Sequence, residues 1–198
     1  FLISLAIFSL SSFFLIKNKC LFVKDYNPDK LSFDKPNNIA ILNVECGNVI
    51  IELYPNISPN AVERFKTLVR SKAYDDVAFH RVIKDSLVQA GDLEFGKKGN
   101  IDYGKIGTGQ SGLGTINSEV DVPFNYERGS VGLARTQKYN TEDSQFFIIL
   151  QDEPLYEGEY TPIGKVIFGL EALEKIKHLN KSEYVLRPDF INTLRLFN

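Results

Sequence analysis

Short runs of β-branched and aromatic residues recur along most of this chain, and residues that favour turns separate them. The first two runs, residues 39–45 and 49–54, flank Gly47-Asn48, a pair typical of a β-hairpin turn. The other runs lie at residues 78–83, 87–90, 130–134, 145–150, 163–168 and 190–197. So many short strands predict a mainly β fold.

Two stretches have the apolar spacing of a helix. Ser58-Pro59 is typical of a helix start, with serine as the N-cap and proline as the first helical residue. Ala61 and Phe65 then follow at helical spacing. A second helix is predicted at about residues 170–179, where acidic residues come early and basic residues late, as the helix dipole favours. Because these helices do not alternate with the strands, an antiparallel barrel or sandwich with two covering helices is predicted.

The front of the chain is strongly apolar. Residues 1–16 contain no charged side chain, and Lys17 and Lys19 follow them. A helix needs about 20 apolar residues to cross a bilayer, so this run is short for a complete span. It fits the hydrophobic region of a signal peptide or a clipped membrane anchor, and the alternative is a buried helix of the domain. We expect an exported or membrane-anchored protein on the periplasmic or extracytoplasmic side, with membrane contact through this segment where it is uncleaved.

The next stretch, residues 17–38, mixes both signs of charge and shows no clear hydrophobic period. It contains Pro28 and Pro36, and these features together are typical of a linker. The remaining residues, 39–198, are enough for one folded domain.

The composition excludes several functional classes. The net charge is −2 and no basic block stands out, so nucleic acid is not expected as a partner. The histidines and cysteines of the chain, His80, His178, Cys20 and Cys46, lack the spacing of metal ligands. Two cysteines also exclude a disulfide-rich scaffold. Neither a metal nor another cofactor is predicted.

Alternation along three of the strand-like runs predicts one shared surface patch. Successive residues of a strand point to opposite faces, so Leu87 and Gln89 share a face of one strand, and Gln145 and Phe147 share a face of another strand. With Arg81 they form a patch of one guanidinium, two amides, an aromatic ring and an aliphatic chain. The patch has no carboxylate pair, no nucleophile with a base and no phosphate-binding loop. From spacing alone, a structural ion pair for Arg81 and a core position for Phe147 are the simpler interpretations.

Five segments of the domain carry a more specific pattern. They are FHRVI at residues 79–83, QAGD at 89–92, GSVGLAR at 129–135, SQFFI at 144–148 and GEYTPIGKV at 158–166. Together they resemble the signatures of cyclophilin-type peptidyl-prolyl cis-trans isomerases, and Ala134-Arg135 and Tyr160 are most similar to bacterial-type members. The resemblance implies an eight-stranded antiparallel closed barrel capped by two α-helices. It also implies a monomeric enzyme without a cofactor that isomerises peptide bonds before proline in polypeptides and so assists their folding.

The resemblance also assigns roles to residues. Arg81 is the main catalytic group, because its guanidinium hydrogen-bonds near the prolyl nitrogen and weakens the double-bond character of the amide. Gln89 holds the substrate backbone and helps to orient Arg81. The remaining contacts fall to Phe147, Leu87 and Leu155 in the proline pocket, Ala134 and Gln145 in the adjacent groove, the backbone of Arg135 at the residue before proline, and Tyr160 as a pocket wall.

Two positions depart from the family pattern. Ser86 stands where the family usually has phenylalanine on the floor of the proline pocket, and Pro154 stands where it often has tryptophan. A buried ring contributes roughly 1.5–3 kcal/mol of apolar contact that serine does not supply. The alternative to a fully active isomerase is therefore a weakly active or inactive module that binds proline-containing peptides.

Overall fold

The computed structural model describes residues 19–179 and 182–197. Within these residues, eight antiparallel strands form one sheet, and two α-helices accompany it. The strands are β1 (Ile39–Val44), β2 (Gly47–Leu53), β3 (Arg81–Ile83), β4 (Leu87–Ala90), β5 (Ser130–Leu133), β6 (Phe146–Ile149), β7 (Pro162–Phe168) and β8 (Thr193–Leu196), and the helices are α1 (Pro59–Arg70) and α2 (Leu170–Leu173). The prediction of a mainly β fold with eight antiparallel strands and two helices is confirmed.

The sheet curls into a half-barrel with the strand order β3-β4-β6-β5-β7-β2-β1-β8, so β3 and β8 are its two ends. The chain around the start of β3 bonds to the segment that precedes β8. Phe79 N donates to Asp189 O at 2.9 Å, and Ile191 N donates to Val77 O at 2.9 Å. The closed barrel remains a prediction, because the described residues contain no ladder between β3 and β8.

The apolar face of α1 is buried, as its spacing predicts. The ring of Phe65 is fully buried, and it lies 5.4 Å from the ring of Tyr74 and 5.4 Å from that of Phe146. Aromatic contacts of this kind add to the free energy that apolar burial already supplies. They fix α1 against β6, one of the strands that carry the predicted patch.

The cap of α1 comes from a distant loop. Ser58 precedes the helix as predicted, but its side chain makes no capping hydrogen bond. The carboxylate of Glu119 accepts hydrogen bonds from Asn60 N at 3.2 Å and from Ala61 N at 2.9 Å. A negative charge at this end also suits the helix dipole.

The turn between β1 and β2 lies at Glu45-Cys46, two residues before the predicted Gly47-Asn48. Gly47 has φ +126°, and a Cβ at this position would lie 2.7 Å from the carboxylate of Asp25. Glycine is therefore needed where the N-terminal segment packs on the start of β2.

Helix α2 ends at Leu173, although a helix was predicted to about residue 179. Beyond Leu173 the hydrogen bonds change to the tighter pattern between residues three apart, because Ile176 N donates to Leu173 O at 3.1 Å. Lys177 N donates at 2.8 Å to the carboxylate of Asp189, which takes a donor that a longer helix would use internally. A side chain remote in sequence thus ends the helix, and local periodicity does not reveal it.

The segment predicted as a linker is fastened to the domain in its described part, residues 19–38. Cys20 forms a disulfide with Cys46, which is buried in the β1–β2 turn. Lys19 donates at 2.7 Å to the carboxylate of Asp189. The disulfide went unpredicted because its two cysteines are 26 residues apart and their spacing carries no recognisable pattern.

Two ring contacts extend this attachment. The ring of Tyr26 lies 5.2 Å from that of Phe168, and the ring of Phe33 lies 5.0 Å from that of Phe197. The predicted signal or anchor, residues 1–16, lies outside the described residues and stays a prediction. Within the described ranges, no helix has both the length and the apolar character that crossing a membrane requires.

His80 lies immediately before β3 and is buried. Burial lowers the pKa of His80 from 6.5 to about 4, and the nearby Asp92 carboxylate opposes this shift only in part. The folded protein therefore keeps the ring neutral where the unfolded chain already binds a proton.

We expect the Cys20–Cys46 disulfide to stabilise the fold by roughly 3 kcal/mol, because it closes a loop in the unfolded chain. Cys20→Ser and Cys46→Ser should lower the free energy of unfolding equally in denaturant titrations, and the double variant should be no less stable than either. Reductant should destabilise the parent and leave the variants unchanged. Equal stability of the parent with and without reductant would contradict this expectation.

His80 should make the stability dependent on pH below neutrality. Its folded pKa of about 4 lies below the unfolded value of 6.5, so the contribution is complete above pH 6.5 and is lost as the pH falls toward 4. The loss should reach about 3 kcal/mol at 1.36 kcal/mol per pKa unit. Denaturant titrations across this range should show a shallower decline for His80→Gln and an unchanged decline for His178→Gln. The same decline in all three proteins would rule out this role for His80.

Candidate active site

The register of four neighbouring strands brings the predicted patch together. Arg81 on β3 pairs with Gln89 on β4, Gln89 pairs with Phe147 on β6, and Phe147 pairs with Gly132 on β5. Directly paired residues of antiparallel strands point to the same face. The three side chains therefore stand in a row across the sheet, as alternation predicted.

Gly132 leaves space for this row. A Cβ at Gly132 would lie 2.5 Å from Cζ of Phe147 and 2.6 Å from the hydroxyl oxygen of Tyr126. Any other residue would displace one of these rings. The smallest side chain on β5 therefore lets the ring of Phe147 lie over its neighbouring strand.

A chain of hydrogen bonds holds the polar side chains in place. Arg81 Nη1 donates to Gln89 Oε1 at 3.2 Å, and Gln89 Nε2 donates to Gln145 Oε1 at 3.0 Å. Gln145 Nε2 in turn donates to the carbonyl oxygens of Gly107 and Gly109 at 3.0 and 3.1 Å. Each amide thus has its orientation set by the next group along the chain.

The glycine-rich loop at the end of this chain is fixed by a buried carboxylate. Asp92 is fully buried, and its carboxylate accepts hydrogen bonds from Gly107 N at 2.6 Å and Gly109 N at 3.0 Å. It also accepts one from Phe95 N at 2.8 Å. Hydrogen bonds to a charged group are stronger than neutral ones, so the loop presents its carbonyl oxygens to Gln145 from a rigid position.

Arg81 has a second partner on its other side. Arg81 Nε donates to Glu183 Oε2 at 2.7 Å, and the two side chains are 28% and 53% exposed. Within the described residues, Arg81 Nη2 donates to no protein group. Two nitrogens of the guanidinium are therefore held by protein groups.

Beside Arg81 lies a small pocket with a volume of about 60 Å³ and an aromatic wall. The ring of Phe147 lies 5.5 Å from that of Tyr156 and 5.2 Å from that of Tyr160, both edge-on. The ring of Tyr126 stacks at 6.0 Å on the remaining side. Burial raises the pKa of Tyr126, whose hydroxyl donates to Tyr160 O at 3.0 Å. These rings form an apolar surface suited to a small ring or chain.

A larger groove, with a volume of about 320 Å³, adjoins the pocket and shares Arg81 with it. Its polar wall includes Arg135, whose Nη2 donates to the carboxylate of Glu159 at 2.9 Å. The guanidinium of Arg135 also lies over the rings of Tyr139 and Tyr160, at 4.2 and 5.0 Å from their centroids. These contacts therefore hold the Arg135 side chain in place where the two cavities meet.

The structure brings eight of the ten predicted site residues to these two cavities. They are Arg81, Leu87, Gln89, Ala134, Arg135, Gln145, Phe147 and Tyr160. Two predicted residues, Leu155 and Ser86, do not line either of these cavities. The Leu155 side chain is 81% exposed, and Ser86 lies in the turn between β3 and β4, where its carbonyl oxygen accepts a hydrogen bond from Leu150 N at 2.6 Å.

Tyr156 takes the place that was predicted for Leu155. The residues Pro154–Tyr156 form one turn of 3-10 helix, and in such a turn neighbouring side chains point in different directions. Leu155 faces solvent and Tyr156 faces the pocket. Sequence reasoning also missed Tyr126 and Glu183, because neither lies in a segment of the recognised pattern. Pro154, which begins this turn, is the sequence signal that indicates the turn in which Tyr156 and Leu155 point in different directions.

Comparisons with known proteins agree with this geometry. Residues 39–195 match the family model of the cyclophilin type peptidyl-prolyl cis-trans isomerase/CLD. The chain is 44% identical over 161 residues to a probable peptidyl-prolyl cis-trans isomerase of Brucella suis biovar 1 (strain 1330), covering 79% of this chain and 81% of that protein. It is 34% identical over 152 residues to peptidyl-prolyl cis-trans isomerase-like 3 of Gallus gallus, covering 74% and 86%.

A comparison with solved structures supports the same fold. A cyclophilin type peptidyl-prolyl cis-trans isomerase of Cryptosporidium parvum, crystallised in the presence of the dipeptide Ala-Pro, aligns with a TM-score of 0.69 at 25% identity. The alignment covers 81% of this chain and 99% of that one. With the matching domain, relatives and fold, the chain belongs to the cyclophilin-type peptidyl-prolyl cis-trans isomerase family.

Proposed function

We propose that Arg81 is the catalytic group with which this peptidyl-prolyl cis-trans isomerase accelerates rotation about Xaa–Pro bonds. The barrier to this rotation is about 18–20 kcal/mol and comes from amide resonance. No covalent bond breaks, so the enzyme only has to bind the twisted amide more tightly than the planar one. The observation that carries the proposal is that Arg81 borders both the aromatic pocket and the polar groove.

A guanidinium suits this reaction. It is always charged, and its planar fork presents donors in fixed directions. As the amide twists, its nitrogen lone pair localises and becomes a better acceptor. Arg81 Nη2 donates to no protein group among the described residues, so it is the donor available to the amide nitrogen. Gln89 holds Nη1 and so keeps the fork in one orientation before the substrate binds.

The aromatic pocket is the proposed site for the proline ring. Phe147, Leu87, Tyr156 and Tyr160 supply its apolar lining. The Cryptosporidium parvum relative was crystallised in the presence of Ala-Pro, which supports proline-containing peptides as the substrate class here as well. The groove beside Gln145 is then the proposed site for the residues that precede proline.

An active isomerase is favoured over an inactive binding module. Ser86, which lacks the aromatic ring usual at this position, is the residue that favours the module. Tyr126 and Tyr156 both contact the ring region of Phe147, so the pocket keeps an aromatic wall without a ring at position 86. Arg81 and Gln89 are also held together at the pocket, which supports catalysis.

We further propose that the protein acts outside the cytoplasm, exported or membrane-anchored, and assists the folding of proline-containing chains there. The Cys20–Cys46 disulfide supports this location, because disulfides persist in oxidising compartments and are rare in the cytosol. The uncharged run at residues 1–16 supports it independently.

Closure of the barrel through the segment that follows α2 is also proposed. Residues 77–82 exchange backbone hydrogen bonds with residues 183–191, which lie on the chain directly before β8. These bonds support a connection between the two ends of the sheet.

Arg81→Ala should lower kcat/KM for cis-to-trans conversion of Xaa–Pro peptides by about 100- to 1,000-fold, the effect of removing one transition-state donor. Arg81→Lys should also lose most of the rate, because lysine has no planar fork. The control is Arg70→Ala, which removes an exposed arginine of α1 and should keep the parent rate. Full activity of a folded Arg81→Ala variant would show that this site assignment is wrong.

The two neighbours in the 3-10 turn should behave differently on truncation. Tyr156→Ala removes a pocket wall and should raise KM for proline peptides by about tenfold or more, since losing a buried apolar contact costs roughly 1.5–3 kcal/mol and 1.4 kcal/mol is about tenfold. Leu155→Ala removes an exposed side chain and should leave KM nearly unchanged. A larger effect for Leu155→Ala than for Tyr156→Ala, measured on the same peptide series, would reverse the assignment.

A further inference from the structure

Glu183 reaches the site from a segment that belongs to none of the eight strands. Val82 N donates to Glu183 O at 2.7 Å, and Val185 N donates to His80 O at 2.9 Å. These bonds flank Arg81, which forms a β-bridge with Tyr184. The backbone register therefore places Tyr184 opposite Arg81 and Glu183 one residue along from it, on the side of β3 away from β4.

The side chain of Glu183 and that of Gln89 hold the Arg81 guanidinium from two sides. Arg81 Nε donates to Glu183 Oε2 at 2.7 Å, while Nη1 donates to Gln89 Oε1 at 3.2 Å. Because the guanidinium is planar, bonds at two different nitrogens fix both its position and its rotation. The donors of Nη2 are then directed by the protein and not by the substrate.

The exposure of this pair indicates what it contributes. The Arg81 and Glu183 side chains are 28% and 53% exposed, so water screens their attraction and the pair adds little to stability. Its geometric effect does not depend on strong attraction. A long arginine side chain that is ordered before the substrate binds loses less entropy on reaching the transition state.

We propose that Glu183 is a positioning residue for the isomerase reaction, acting through Arg81 and not through the substrate. It holds Nε so that Nη2 faces the twisted amide. This inference rests on the proposed catalytic role of Arg81. It adds to the site a residue that no segment of the recognised sequence pattern contains.

Steady-state kinetics on one Xaa–Pro peptide test this role. Glu183→Ala should lower kcat by about three- to tenfold and change KM by less than about twofold, because it disorders the catalytic donor and leaves the pocket intact. Glu183→Gln should recover most of the rate, since its amide oxygen still accepts the Nε–H bond. Asp85→Asn, which removes an exposed carboxylate in the β3–β4 turn, is the matched control and should keep the parent rate.

A double-mutant cycle separates positioning from direct contact with the substrate. In an Arg81→Lys background, which lacks the Nε–H fork, Glu183→Ala should change the rate by less than about twofold. An equal loss in both backgrounds would overturn the proposal, because Glu183 would then act without Arg81. Unchanged activity of a folded Glu183→Ala variant, or a higher one, would overturn it as well.

The Nε–H proton of Arg81 gives a readout that is independent of activity. Its NMR signal, assigned by its absence in Arg81→Lys, should exchange slowly with water in the parent and in Glu183→Gln, and faster in Glu183→Ala. The same exchange rate in all three would show that the contact does not exist in solution and would overturn the proposal. A parent that shows the contact but does not accelerate isomerisation would instead contradict the proposed function.

Discussion

The register across β3, β4, β6 and β5 is the constraint on which the site depends. It sets Arg81, Gln89 and Phe147 opposite one another, so a charged donor, an amide and an aromatic ring stand in a row on one face. A slip by one residue would turn all three to the other face, because side chains alternate along a strand. The apolar core on the opposite side of these strands therefore also fixes the position of the proposed catalytic group, Arg81.

Buried carboxylates hold the loops that the register does not reach. Asp92 fixes the backbone around Gly107, and Asp143 accepts a hydrogen bond from Ser111 N at 2.5 Å and pairs with Arg64 of α1. These bonds connect the groove loop to the core on one side and to a helix on the other. A reaction without covalent chemistry relies on such preorganised donors and acceptors, since nothing else distinguishes the twisted amide from the planar one.

Features that depend on local pattern could be predicted from the sequence. Strand alternation placed Arg81 and Phe147 on one patch, and the eight strands were found to within a few residues. Features that depend on contacts between distant segments could not be predicted. Three such features arise from tertiary contacts without a local signal. They are the Cys20–Cys46 disulfide, the end of α2 at Leu173 and the hydrogen bond from Arg81 to Glu183. Tyr156 is an intermediate case, because the sequence carries a signal for its turn in Pro154, whereas the contact of its ring with Phe147 is a tertiary feature.

The most direct test of this account is a crystal structure of the chain with a bound Xaa–Pro peptide. We expect the proline ring in the pocket formed by Phe147, Tyr156 and Tyr160, with Arg81 Nη2 within hydrogen-bond distance of the prolyl amide. Arg81 Nε should remain bonded to Glu183. A proline ring bound elsewhere, or a guanidinium that leaves Glu183 and Gln89 to reach the substrate, would contradict the claim that Arg81 is held in its catalytic position before the substrate binds.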